Sequence, residues 1–359
     1  MCCSPSDNQY LYFHVSAGFP LSRSQPIIGQ SREWSGRQLF VDQRGGATYK
    51  TIVAAASAAG PGDTIILAIG SGPYRETLNI RKNGTAAAPI IVEGHGETIT
   101  GFDLMRFTFD GKAWIHTLPK LFEEDPVVIA KDGRRILQNQ TTGQFLGPVK
   151  LREDGKTFEL ALGTSTDGWE ISARWFVVAI TSTSHHVYRN IVATGALNDG
   201  FNLHGYGTDL VFENITGYNN LDEGFSSHDT ISSTIRTGRF WANDNGIANV
   251  NDCITNISNV IIYDNVGYGL FLNANTSSNL IDVSVWNNGA TQIRFDNSAA
   301  GTATRVSVWK PSWNSPPWRR YRESKLITSS APLGNNAARI PIPFWTGTIQ
   351  TMATPIPDF

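Results

Sequence analysis

The chain has 359 residues, of which 17% are charged, and a formal net charge of −2, so it carries no basic excess suited to a nucleic acid partner. It has no run of about 18 apolar residues, so no membrane-spanning helix is expected. Cys2, Cys3 and Cys253 are too few and too scattered for a disulfide framework or a zinc site.

Residues 1–37 read as an N-terminal extension. They lack a basic start followed by an apolar stretch, so no signal peptide is expected there. Residues 38–101 read as strand, short helix and strands: Tyr49-Lys50-Thr51-Ile52 opens an Ala-rich helical stretch, and Pro61-Gly62-Asp63-Thr64-Ile65 ends it and re-enters a strand. In residues 102–174 three Asp-Gly turns, at Asp110-Gly111, Asp132-Gly133 and Asp154-Gly155, separate apolar runs, which predicts an inserted β-subdomain.

Residues 175–310 carry an internal repeat. Phe201, Phe225, Ile247, Leu270 and Ile293 recur at spacings of 24, 22, 23 and 23. A period near 23 with several short strands per copy suits one turn of a parallel β-helix. Alternation sets these five residues inward. It sets Asn202, Ser226, Ala248, Phe271 and Arg294 outward, as it does His204, His228, Val250, Asn273 and Asp296. Asn190, Asn214, Arg236, Asn259 and Asp282 are expected to form one corner column, and Cys253 to be an ordinary coil residue. After Trp309 the Pro- and Trp-rich residues 311–359 show no periodicity and are expected to cover the open end of the solenoid.

The order Tyr-Lys-Thr-Ile, Ala-rich helix, Pro-Gly-Asp-Thr-Ile, Pro73-Tyr74-Arg75-Glu76-Thr77, then Gly84-Thr85-Ala86-Ala87-Ala88-Pro89-Ile90 resembles the N-terminal cap and first coils of the pectin lyase-like superfamily. The resemblance implies an all-β, right-handed parallel β-helix with an N-terminal cap helix. It also implies an activity of the polysaccharide lyase or β-helix glycoside hydrolase kind.

The densest reactive groups lie on the coils at 198–204 and 222–228. Asp199 and Glu223 hold equivalent positions on adjacent coils, and Asp222 stands beside Glu223. Carboxylates one strand apart cannot all ionise freely, so one is driven to hold its proton; the alternative is that acids before Gly only form turns. His204 and His228 stack in an outward column with Asp229 alongside, a set able to act as acid or base or to orient sugar hydroxyls. Asn202, Tyr206, Asp229, Trp241, Phe271 and Arg294 are the candidate substrate contacts, the aromatic rings as platforms for sugars. Trp286 fits either a platform or the core. No compact calcium loop is present, so no metal or other cofactor is expected; the open alternatives are a metal held by His204, His228 and Asp222 or Asp229, and a calcium ion at the Asp-rich corners.

From residue 185 to 301 there are eleven carboxylates against four arginines, and no lysine occurs between Lys156 and Lys310. This favours hydrolysis of a polysaccharide or oligosaccharide by Asp199, Asp222 and Glu223, with help from His204 and His228. The alternatives are a lyase using a His or Arg base with Tyr206 or Tyr218 as proton donor, and a non-catalytic carbohydrate-binding or adhesin β-helix. A polysaccharide substrate implies a secreted or periplasmic site of action.

Overall fold

The computed structural model describes residues 36–122, 126–136, 144–296 and 298–309, and the backbone of the strand Trp345–Met352. The expected extension at 1–37 therefore lies almost wholly outside the described residues, as does most of the segment at 311–359.

Two long parallel sheets form a solenoid. One has seven strands, running from Leu78–Asn79 through Val178–Thr181, Phe201–His204, Phe225–Ser227, Ile247–Asn249 and Leu270–Leu272 to Ile293–Phe295. The other has twelve, including the long strands Tyr206–Tyr218, Thr230–Trp241, Ile254–Tyr263, Ser277–Trp286 and Ala300–Trp309. The chain alternates between the two sheets, so each circuit adds one strand to each, and the protein is an all-β parallel β-helix. Phe201, Phe225, Ile247, Leu270 and Ile293 pair in direct register and are fully buried, forming one column of the core. Cys253 lies in the same core, and burial pushes its thiol up to about 11.

Near the N-terminus the helix Ile52–Ala58 starts at Thr51, whose side chain accepts from the Ala54 N–H. Its Ile52, Ala55 and Ala56 are buried with the solenoid core. Residues 102–172 leave the parallel pattern and form two four-stranded antiparallel sheets around Met105, Phe122, Phe158, Leu160 and Trp169. This insertion touches the solenoid at one corner. There Leu221 packs with Phe102, Val128 and Ala130, and Arg135 Nη1 donates to the Ala242 carbonyl at 2.7 Å.

One expectation needs correction. The corner column is Asn190, Asn214, Thr237, Asn259, Asp282 and Arg305, all at positive φ, with Thr237 in place of Arg236. Arg236 pairs with Glu213 one position earlier, and its guanidinium donates to that carboxylate. At the far end of the solenoid, Trp345–Met352 pairs in parallel with Ala300–Trp309 and extends the larger sheet.

A second asparagine ladder, fully buried, runs through Asn220, Asn243, Asn265 and Asn288. Each side-chain oxygen in the series Asn243, Asn265, Asn288 accepts from both the backbone N–H and the Nδ2 of the asparagine one coil before, at 2.9–3.2 Å. Gln292 Oε1 closes the row by accepting from Asn288. Backbone groups at this corner are thereby satisfied away from water, as buried polar groups must be.

Candidate functional site

The smaller sheet begins each circuit with an outward side chain followed by glycine: Asp199-Gly200, Glu223-Gly224, Asn245-Gly246 and Tyr268-Gly269. A Cβ on Gly200, Gly224 or Gly246 would lie 2.6–2.8 Å from the glycine carbonyl of the next coil. The glycines therefore let the coils close up, and the preceding side chains are stacked at the edge of the sheet.

Asp199, Asp222 and Glu223 meet there. Each offers one oxygen, and the three oxygens lie within 4.8 Å of one another, a set that could hold a metal ion. Asp199 is 1% exposed, while Asp222 and Glu223 are half-buried. Asp199 Oδ2 accepts from Asn202 Nδ2 at 2.6 Å, and its Oδ1 accepts from the Glu223 N–H at 3.1 Å. Asp222 Oδ2 accepts from Asn198 Nδ2 at 3.0 Å, and Glu223 Oε1 accepts from Asn245 Nδ2 at 2.7 Å. Burial, then the neighbouring Asp222 charge, pushes Asp199 up to about 7. Burial and the charges of Asp222 and Asp199 hold Glu223 well above the ordinary carboxylate range. The Asp199 and Glu223 carboxyls are hydrogen-bonded to each other.

His204 and His228 stack with ring centroids 4.0 Å apart and planes 9° apart. Asp229 Oδ2 faces His204 Nδ1 at 3.3 Å and accepts from the Gly205 N–H at 2.8 Å. Backbone hydrogen bonding lowers the Asp229 carboxyl. His228 Nε2 bonds to Ser226 Oγ, and burial followed by the His204 charge pushes His228 down to about 4. Each histidine stands five residues beyond the carboxylate that opens its coil. Asn202 and Ser226, paired in register, lie between the two groups.

Several expected outer positions are filled rather than open. Asn202, Ser226 and Ala248 are 3%, 0% and 4% exposed, so they line the floor of this face and are not free for substrate. Asn202 is committed to Asp199. Trp241 is a member of a stack, Tyr218, Trp241, Tyr263 and Trp286, with centroids 4.6, 5.6 and 5.0 Å apart and planes within 11° of parallel. Both faces of the indole are covered by neighbouring rings, which leaves no face for a sugar. Trp286 belongs to this outer stack and not to the solenoid core, although it is buried. Phe271 stacks on Tyr268 at 5.1 Å, and the Arg294 guanidinium lies 5.0 Å from the same Tyr268 ring while bonding to Asp296 at 2.8 Å. Tyr206 is 65% exposed, two residues beyond His204.

Trp175 was not among the expected contacts. Its coil pairs Val178 with Phe201, which sets residue 175 opposite Asn198 and in the column of Asp222. The Trp175 carbonyl accepts from the Asn198 N–H at 3.0 Å, and the residue is 58% exposed. Counting back 23 from Asn198 would have found it. The inserted subdomain, through Leu221 and Arg135, abuts the corner that leads into Asp222 and Glu223.

The fold and site thus define a parallel β-helix with a buried carboxylate cluster on the outer edge of its smaller sheet. No protein-family model matches the sequence, and no curated protein matches it. Among solved structures, the chain is similar to a complex of XylC with xylose at 12% identity, with 76% of this chain and 69% of that one covered and a TM-score of 0.49. It is also similar to the pectate lyase Pel9A at 16% identity, 77% and 70% coverage and a TM-score of 0.47. A glycoside hydrolase matches at 10% identity, 79% and 90% coverage and a TM-score of 0.49. At such identities and scores the likeness bears on neither reaction nor substrate.

Proposed function

We propose that this protein is a carbohydrate-active enzyme that hydrolyses glycosidic bonds of a polysaccharide lying along the outer wall of the smaller sheet. The observation that carries this reading is the close approach of Asp199, Asp222 and Glu223, within 4.8 Å, with Asp199 and Glu223 both held above the ordinary carboxylate range. Such a cluster separates an acid from a base or nucleophile among like residues. Glu223 is the acid, and Asp199 shares its proton. Asp222, more open than Asp199, is the nucleophile.

The separation supports retention. Retaining enzymes keep their carboxyls about 5–5.5 Å apart, and inverting ones about 6.5–9.5 Å apart to admit a water. In the first step the Asp222 oxygen bonds to the anomeric carbon while the glycosidic bond breaks and Glu223 protonates the departing oxygen. In the second, Glu223 takes a proton from water, whose oxygen displaces Asp222. Trp175 supplies an open ring for a sugar face beside this centre. The amide variants Glu223→Gln and Asp222→Asn test the reading: each should abolish release of reducing ends and leave the fold intact, and full activity in both would refute it.

A second reading is a polysaccharide lyase with His228 as base. It is favoured by the imidazole being kept uncharged at neutral pH. It requires an unsaturated product that absorbs in the ultraviolet.

A further inference from the structure

Two aromatic side chains stand at matching distances on either side of the carboxylates. The coil of Trp175 pairs with that of Asp199, which pairs with that of Glu223, so Trp175 lies two coils before Asp222 and Glu223. Phe271 lies two coils after them, beyond the coil of Ala248. Trp175 is set three residues before the core column and Phe271 one residue after it, so the line joining them crosses the strands obliquely. Its midpoint falls at the register of Gly224, next to Glu223, where no side chain rises from the backbone. Gly200 and Gly246 continue that bare strip on the adjoining coils. Four coil steps along the solenoid and four residues across it separate the two positions by about 23 Å, the length of about four or five pyranose rings.

Both rings have a face to offer. Trp175 is 58% exposed, and Phe271 is half-buried. Trp241 is covered on both faces, whereas Phe271 rests on Tyr268, with centroids 5.1 Å and planes 24° apart, and has no second ring neighbour among the described residues. Tyr268 is itself held: the Arg294 guanidinium lies 5.0 Å from its ring and donates to its hydroxyl, and Asp296 fixes the guanidinium at 2.8 Å. A flat ring already immobile on its support suits the apolar face of a sugar, because little freedom is lost when the sugar docks.

We infer that Trp175 and Phe271 are the two end platforms of one oblique glycan-binding track, which holds about four or five sugar rings with the carboxylates at its middle. This rests on the reading of the carboxylates as the place where the chain is cut. The two platforms act on opposite sides of that place, so losing one shifts the bound chain in one direction and losing the other shifts it in the opposite direction.

The experiment is isothermal titration of the whole chain carrying Glu223→Gln with size-defined oligosaccharides, disaccharide to octasaccharide, prepared from neutral, uronate-containing and sulfated polysaccharides. Affinity should rise with length and level off at the tetra- or pentasaccharide. Trp175→Ala and Phe271→Ala, added singly, should each weaken the pentasaccharide about five- to tenfold and make affinity level off at a shorter length. Phe271→Leu, which keeps apolar packing on Tyr268 without a flat ring, should do the same and serves if alanine does not fold. With Glu223 restored, the cut in an end-labelled pentasaccharide should move toward one end in the Trp175 variant and toward the other in the Phe271 variant. Affinity that levels off at the disaccharide, or that climbs evenly to the octasaccharide, overturns the track. So does a levelling length that none of the variants changes. The expected length dependence in a protein that cuts none of these chains leaves the track standing and overturns the hydrolase reading alone, and failure to bind any of them overturns both.

Discussion

The peptide N–H of Glu223 donates to Oδ1 of Asp199 at 3.1 Å, so the backbone of one carboxylate residue fixes the side chain of the other across adjacent coils. Burial and the Asp222 charge outweigh that donation and make Asp199 an acid whose ionisation the fold opposes. Its folded value is about 7, against about 3.9 in an unfolded chain. A raised value means that the stability this group confers is fully present below the unfolded value and is lost as pH rises through the folded one. Asp199→Asn should therefore exceed wild type in stability by a few kcal/mol at about pH 8 and match it near pH 4, in urea unfolding. Equal midpoints at both pH values would contradict this assignment.

His228 has the opposite sign. Its folded value of about 4 lies below the unfolded value of about 6.5, so its contribution is complete above the unfolded value and is lost as pH falls through the folded one. Wild type should lose stability between about pH 6.5 and pH 4, and His228→Gln should lose less over the same window. Parallel unfolding curves for the two proteins would refute the assignment.

The buried ladder gives a purely structural prediction. In Asn265→Ala, the backbone N–H and Nδ2 of Asn243 lose their acceptor in a fully buried corner. The cost should be about 2–4 kcal/mol by urea unfolding. Asn214, at positive φ on the exposed corner, should accept glycine with little loss.

Ring geometry separates two tryptophans. Trp241→Ala breaks the outer stack and should lower thermal stability while leaving KM within about twofold, because no ring face is open. Trp175→Ala should leave stability unchanged and raise KM roughly five- to tenfold. The reverse pattern would restore Trp241 as the sugar platform.

Why the sequence revealed the core column and not the corners follows from the same physics. Phe201, Phe225, Ile247, Leu270 and Ile293 are read from spacing alone, because an apolar side chain in a two-residue alternation has one stable side. Thr237 was missed for Arg236 because the stretch from Trp241 to Ile247 is one residue shorter than the matching stretch from Tyr218 to Phe225, so a fixed count back from the core column lands one residue early. Asn220, Asn243, Asn265 and Asn288 repeat just as regularly, yet asparagine is ordinarily a surface residue, and only the closed corner makes it an interior one. The meeting of Asp199, Asp222 and Glu223 was legible from register.

The most direct test of the proposed hydrolysis is to incubate the protein with neutral, uronate-containing and sulfated polysaccharides while following reducing ends and ultraviolet absorbance together. Reducing ends released without absorbance, and lost in Glu223→Gln, are the predicted result. Absorbance rising with the reducing ends, and surviving Glu223→Gln, would contradict it and move the chemistry to His228.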